Sequence, residues 1–158
     1  MKEQKIYKHF ASPDIPEGIL PAMRKIELLV IHCSATRSNS SYPVSTLTQE
    51  HQKRFGKPGY HFYIERNGNM YQLLLLAEKG CHAKGFNHNS IGICYEGGLD
   101  EQGRPKDTRT DAQKQRMKEL TEILKKVFPG VKVKGHCQLS PDIKKACPCF
   151  DAEKEYGK

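Results

Sequence analysis

From Ile26 to Cys33 the chain reads Ile-Glu-Leu-Leu-Val-Ile-His-Cys, a nearly continuous apolar run rich in strand formers. Such a run predicts a central strand covered on both faces. His32 stands at its C-terminal end, on the same face as Val30 and Leu28 by the two-residue period of a strand. Further on, Gly59 to Ile64 and Met70 to Leu75 read as two more strands, with the hairpin signal Asn67-Gly68 between them. Ile91 to Tyr95 is another compact strand, closed by Gly97-Gly98, and Val131 to Lys134 is the last, with His136 just beyond it.

The helical period appears twice. Thr46 and Gln49 have capping-box spacing and predict a short helix running to Phe55, with Gly56 as its stop. Thr110 and Gln113 repeat that spacing ahead of Met117, Leu120, Ile123, Leu124, Val127 and Phe128, one apolar stripe that Pro129-Gly130 ends. Residues 99–108 read as a polar loop, and a short helix is expected near Asp151 to Tyr156. The order β, α, β-hairpin, β, α, β predicts a single α/β domain with a central mixed β-sheet and helices packed on its faces. That domain is expected over residues 25–158, preceded by an irregular lead-in over 1–24 in which Pro13, Pro16 and Pro21 break any helix.

A length of 158 residues suffices for one hydrophobic core. The formal charge of +8 points to an anionic partner. The basic residues are scattered rather than gathered with interleaved aromatics, so a nucleic-acid groove is not expected. Nothing approaches the length of apolar sequence that membrane insertion needs. Met1 to Phe10 is polar and lacks the apolar core of a secretory signal, so the expectation is synthesis in the cytoplasm. The six cysteines form no CxxC pair, which argues against a zinc ribbon or a thioredoxin-type motif and leaves free thiols or another metal site.

His32, His136 and Cys147 are candidate zinc ligands by residue type. A catalytic zinc takes three protein ligands and keeps a fourth position open. Cys147 lies in Lys144-Lys145-Ala146-Cys147-Pro148-Cys149, where neighbouring lysines favour the thiolate that binds metal. The 104 residues separating the histidines match no local zinc motif, so spacing alone leaves a hydrogen-bonded histidine and a buried thiol as open readings.

Four stretches, in order, carry a family resemblance: Val30-Ile31-His32-Cys33-Ser34-Ala35-Thr36; Gly59-Tyr60-His61-Phe62 with its Asn67-Gly68 turn; His82-Ala83-Lys84-Gly85-Phe86-Asn87-His88-Asn89-Ser90-Ile91-Gly92-Ile93-Cys94; and Gly135-His136 followed by Leu139-Ser140-Pro141, Lys145-Ala146-Cys147-Pro148 and Phe150-Asp151. The chain resembles the zinc-dependent N-acetylmuramoyl-L-alanine amidases, above all the amidase-type lysozymes of phages, with peptidoglycan recognition proteins as more distant relatives. The resemblance implies one catalytic zinc ion on His32, His136 and Cys147, with Tyr60 and Lys145 assisting catalysis. It places His82, Lys84 and Asn87 at the substrate groove, with His82 in binding or support rather than ligation, and the substrate would be peptidoglycan or its muropeptide fragments. It also implies a monomer that reaches the wall after holin-type release or other delivery.

The stretch between His136 and Lys145 is a few residues longer than in the phage enzymes, which leaves Lys144 as a competitor of Lys145 and Cys149 as a competitor of Cys147. His61 alternates with Tyr60 along a strand and is expected to be structural. Two other readings stay open here. One is a metal-free hydrolase with Cys33 or Cys147 as nucleophile and His136 as base. The other is a module that grips peptidoglycan without cutting it.

Overall fold

The computed structural model describes residues 24–158 and the backbone of the strand Lys8–Phe10. Its strands are β1 (Lys8–Phe10), β2 (Leu28–Cys33), β3 (Thr36–Arg37), β4 (Phe62–Ile64), β5 (Met70–Gln72), β6 (Ser90–Tyr95), β7 (Gly98–Leu99) and β8 (Lys132–Gly135). Its helices are α1 (Val44–Phe55), α2 (Asp111–Val127) and α3 (Ala152–Tyr156). Six strands form one mixed sheet in the order β1-β5-β4-β6-β2-β8. The strand β2 runs parallel to β6 and to β8, and β6 runs parallel to β4. At the other end of the order, β5 pairs antiparallel with both β4 and β1.

The expected α/β architecture is what folds. With both neighbours parallel, β2 is buried on its two faces, which is why its sequence is apolar without alternation. Leu29, Ile31, Ile91, Ile93, Phe62 and Ile64 pack with Met117, Leu120 and Leu124 of α2 and with Ala152 and Tyr156 of α3. On the opposite face Tyr63, Leu73 and Cys94 pack with Val44 and Leu47 of α1. Each fully buried leucine of this kind is worth about 1.5–3 kcal/mol relative to exposure.

The helix α2 starts where its capping box predicts. Thr110 Oγ1 accepts from Gln113 N at 3.1 Å, and the Gln113 side chain accepts in return from Thr110 N at 3.0 Å. Gln113 is fully buried, and its Nε2 also donates to Ile64 O, at the end of β4, and to Glu96 O, just past β6. The helix α1 departs from expectation. It begins at Val44 behind Pro43 rather than at Thr46, and no side chain of its own caps it. The reason is a long-range substitute, because Glu65 Oε2 accepts from Val44 N at 2.9 Å. Gly56 ends it in the left-handed conformation, as predicted.

Other differences are local. The Asn67-Gly68 hairpin has a three-residue loop, with Gly68 N donating to Glu65 O and Glu65 N to Asn69 O. Residues 99–108, read as a polar loop, begin with Leu99 paired in β7 to β3. Lys8–Phe10, inside the stretch expected to be irregular, pairs with β5 and covers an edge that would otherwise be open; the rest of residues 1–23 lies outside the described residues.

Thr110 also donates from Oγ1 to Arg66 O at 2.7 Å, which ties α2 to the hairpin. Thr110→Ala is expected to cost about 1–2 kcal/mol, read as a lower denaturant midpoint at unchanged slope.

Candidate metal centre

Parallel pairing of β2 with β8 places the C-terminal ends of the two strands side by side, where sites gather in open α/β sheets. His32 is the penultimate residue of β2, and His136 follows β8 directly. Their ring centroids are 4.7 Å apart. His32 pairs in register with Cys94, so it faces the α1 side of the sheet.

Cys147 arrives on the loop before α3. Its Sγ accepts from Cys33 N at 3.2 Å, at the end of β2, and lies 3.9 Å from His32 Nδ1. The loop is held from both sides. Cys137 N donates to Cys147 O, and the buried Tyr95 hydroxyl donates to Pro148 O at 2.6 Å. Beyond it, Arg109 lies 3.4 Å over the Phe150 ring and pairs with Asp107 and Glu155.

The ligand atoms of His32, His136 and Cys147 all fall within 4.8 Å of one another. Tetrahedral zinc with its usual bond lengths sets neighbouring N and S ligands about 3.4–3.7 Å apart, so small side-chain shifts would let the three close on one ion. Burial holds the His32 imidazole well below its ordinary pKa, with the charges of His82, His136 and Lys145 adding to the effect. Burial and then Lys145 lower His136 as well. Both rings are therefore neutral near pH 7, the state that ligates a metal.

A groove of about 580 Å³ opens over the triad, and Arg54, Tyr60, Lys84 and Lys145 are among the residues lining it. Among the described residues no Asp or Glu lines it. Lys145 is exposed at the rim, whereas Lys144 turns away and donates to Pro141 O. Tyr60 stacks at 5.0 Å from His32 and 5.2 Å from His51. Burial raises the Tyr60 phenol well above its ordinary pKa, and the thiols of Cys94 and Cys147 raise it further. Its hydroxyl therefore stays protonated and is a donor rather than a base.

All three residues expected at the substrate line the groove, and two of them also hold internal partners. Lys84 is exposed on the groove wall. Asn87 Oδ1 accepts from both His82 N and Ala83 N at 2.9 Å, so this atom shapes the loop. His82 Nδ1 sits 2.9 Å from His32 Nε2, behind the candidate ligand. Cys149 turns out of the cluster, with its Sγ on Gly98 O. His61 is fully buried between Gly92 N and Glu78 O, the structural role its alternation with Tyr60 predicts. Sequence reasoning passed over Ser90, His51 and Arg54. The last two stand on the face of α1 turned to Tyr60, and their i, i+3 spacing on a predicted helix was the available signal.

The profile of the N-acetylmuramoyl-L-alanine amidases matches residues 22–150. The chain belongs to that family. It is 35% identical over 133 residues to the endolysin of Escherichia phage T7, covering 84% of this chain and 86% of the phage protein. It is 28% identical over 143 residues to a peptidoglycan-recognition protein of Drosophila melanogaster, covering 87% of this chain and 74% of the insect protein. Among solved structures, the endolysin amidase LysCS of Clostridium intestinale shares the fold, with a TM-score of 0.68 at 22% identity over 90% of this chain and 91% of that one.

Asn87→Ala removes the acceptor shared by two loop amides. Hydrogen exchange at His82 and Ala83 is expected to speed up, while amides of β2 and β6 keep their wild-type rates.

Proposed function

We propose that this amidase-family protein hydrolyses the amide bond between N-acetylmuramic acid and the L-alanine of the peptidoglycan stem, using one zinc ion held by His32, His136 and Cys147. The observation that carries the reading is the convergence of those three ligand atoms within 4.8 Å at the floor of an open groove. Zinc in that position supplies Lewis acidity, activating water near neutral pH and polarising the scissile carbonyl.

The chain's own groups do the rest. Lys145, exposed at the rim, would stabilise the carbonyl oxygen as it becomes anionic. Tyr60 offers its retained proton as a hydrogen bond to the water or to the carbonyl. Lys84 and Arg54, on a groove without a lining carboxylate, suit the free carboxylates of a stem peptide. The products are a lactyl carboxylate on the sugar and a free amine on L-alanine.

The metal-free alternative with Cys33 as nucleophile fits poorly. Contact with the Cys147 thiol, and then burial, push the Cys33 thiol far above its ordinary pKa. A module that only binds the wall has no need of a complete ligand set. Among the described residues no helix is long and apolar enough to cross a membrane; we place the enzyme's action at the wall, as a monomer, after release or delivery.

Digestion of purified peptidoglycan, analysed by mass spectrometry, is expected to yield free L-alanine amines and intact glycan chains. A strong chelator should abolish the reaction and added zinc restore it. New reducing sugars, or full activity after the metal has been stripped, would overturn the proposal. His32→Ala and Cys147→Ala are expected to lose zinc and cleavage together. Lys145→Ala is expected to keep its zinc and lose about 10²–10³-fold in kcat, the usual loss for removing one oxyanion-stabilising group.

A further inference from the structure

From the groove wall a line of four polar groups runs inward from the candidate ligand to a main-chain carbonyl. His32 Nε2 is 2.9 Å from His82 Nδ1. His82 Nε2 is 3.1 Å from Ser90 Oγ, and Ser90 Oγ is 2.7 Å from Phe86 O. With both imidazoles neutral, the protons along this line have one consistent arrangement. A carbonyl oxygen only accepts, so the single hydroxyl proton of Ser90 goes to Phe86 O. Ser90 Oγ must then accept from His82, which puts the His82 proton on Nε2 and a lone pair on Nδ1. That lone pair faces His32 Nε2, so His32 carries its proton there. What remains bare is His32 Nδ1, the nitrogen 3.9 Å from Cys147 Sγ.

We propose that His82 is a positioning residue: through Ser90 and the Phe86 carbonyl it fixes the His32 proton on Nε2 and so presents Nδ1 to the metal. The role rests on the zinc reading above, but the tautomer belongs to the metal-free chain and is measurable without it. An unassisted imidazole divides its proton between two nitrogens, and a ring held in the wrong form offers no lone pair to the ion. A partner on the far nitrogen of a ligating histidine removes that ambiguity and holds the ring plane.

The scaffold is built for this contact. His82 packs flat against Gly92 of β6, where a Cβ would come within 2.8 Å of the ring, so any larger residue displaces it. Ser90, the first residue of β6, is fully buried, and its neighbour in register is Leu28 of the strand that carries His32. Asn87 fixes the backbone of His82 itself. Among the described residues, the hydrogen bonds of the His82 side chain are spent on His32 and Ser90. Although the ring also lines the groove, its polar contribution to catalysis therefore runs through His32.

Two-bond ¹⁵N correlation spectra of the metal-free wild-type protein read the tautomer directly. His32 is expected as the Nε2–H form, and a proton on Nδ1 would overturn the relay. Zinc affinity, measured by competition with a chromophoric chelator, is the second readout. His82→Phe keeps the ring volume and removes both nitrogens, and should weaken zinc binding by about 10–100-fold. His82→Gln retains an acceptor for His32 Nε2–H and should recover most of that loss, which a merely space-filling role does not predict. Ser90→Ala leaves the histidine pair in place and tests the far end of the line should His82→Phe fail to fold. It is expected to mix the His32 tautomers and weaken zinc in the same direction. Wild-type affinity in a folded His82→Phe or Ser90→Ala protein overturns the proposal. A wild-type chain that shows the expected tautomer yet binds no zinc overturns the metal reading instead.

Discussion

Parallel pairing of β2 with β8 is the constraint on which the site depends. Two histidines 104 residues apart have no local reason to meet. The register Leu28↔Lys132 through Ile31↔Gly135 brings the strand ends together, so that one ring at the end of β2 faces another just past β8. Parallel neighbours demand cover on both faces, and α1 and α2 supply it. The apolar cores thus hold the ends of two strands rigid where chemistry needs them fixed.

Burying a catalytic floor so deeply leaves polar groups to satisfy, and the chain meets that demand with side chains from distant segments. Glu65 closes the start of α1, Gln113 the carbonyls at the end of β4 and just past β6, and Asn87 two amides of the loop that carries His82. Glu96, nearly buried, accepts from both Tyr42 N and Arg66 N, joining the approach to α1 to the hairpin. Each bond replaces one with water that burial removes, so losing a partner leaves an unsatisfied group rather than a weaker contact. Arg109 does the same for the tail. Burial opposes the ionised forms of this cluster, but its hydrogen bonds to Asp107 and Glu155 prevail and keep all three charged. The Cys147 loop is thereby anchored on the side away from the groove.

Much of this is legible in the chain. The unbroken apolar run of β2, the capping box of α2 and the strand ends beside His32 and His136 are local patterns, and they survive folding because tertiary contacts agree with them. The start of α1 escapes sequence reasoning because its cap is Glu65, 21 residues away, and no local pattern encodes that partner. The motif around His82 marks the loop as part of the site, yet not what its side chains touch. His82 and Asn87 do line the groove, and only the fold shows the internal partners their side chains hold there. The family's spacing already favours Lys145 over Lys144, and in the fold Lys145 lines the groove while Lys144 donates to Pro141 O. Ser90 lies within the His82–Cys94 stretch, yet nothing local marks its side chain, and its place beyond His82 follows from the start of β6.

The central claim is that one zinc ion sits on two imidazoles and a single thiolate, although Cys33 and Cys149 lie close by. X-ray absorption at the zinc edge of the purified, zinc-loaded protein tests it most directly. The account predicts one sulfur scatterer at about 2.3 Å with the remaining ligands N or O at about 2.0–2.1 Å. Two or more sulfur scatterers, or a shell of N and O alone, would contradict it.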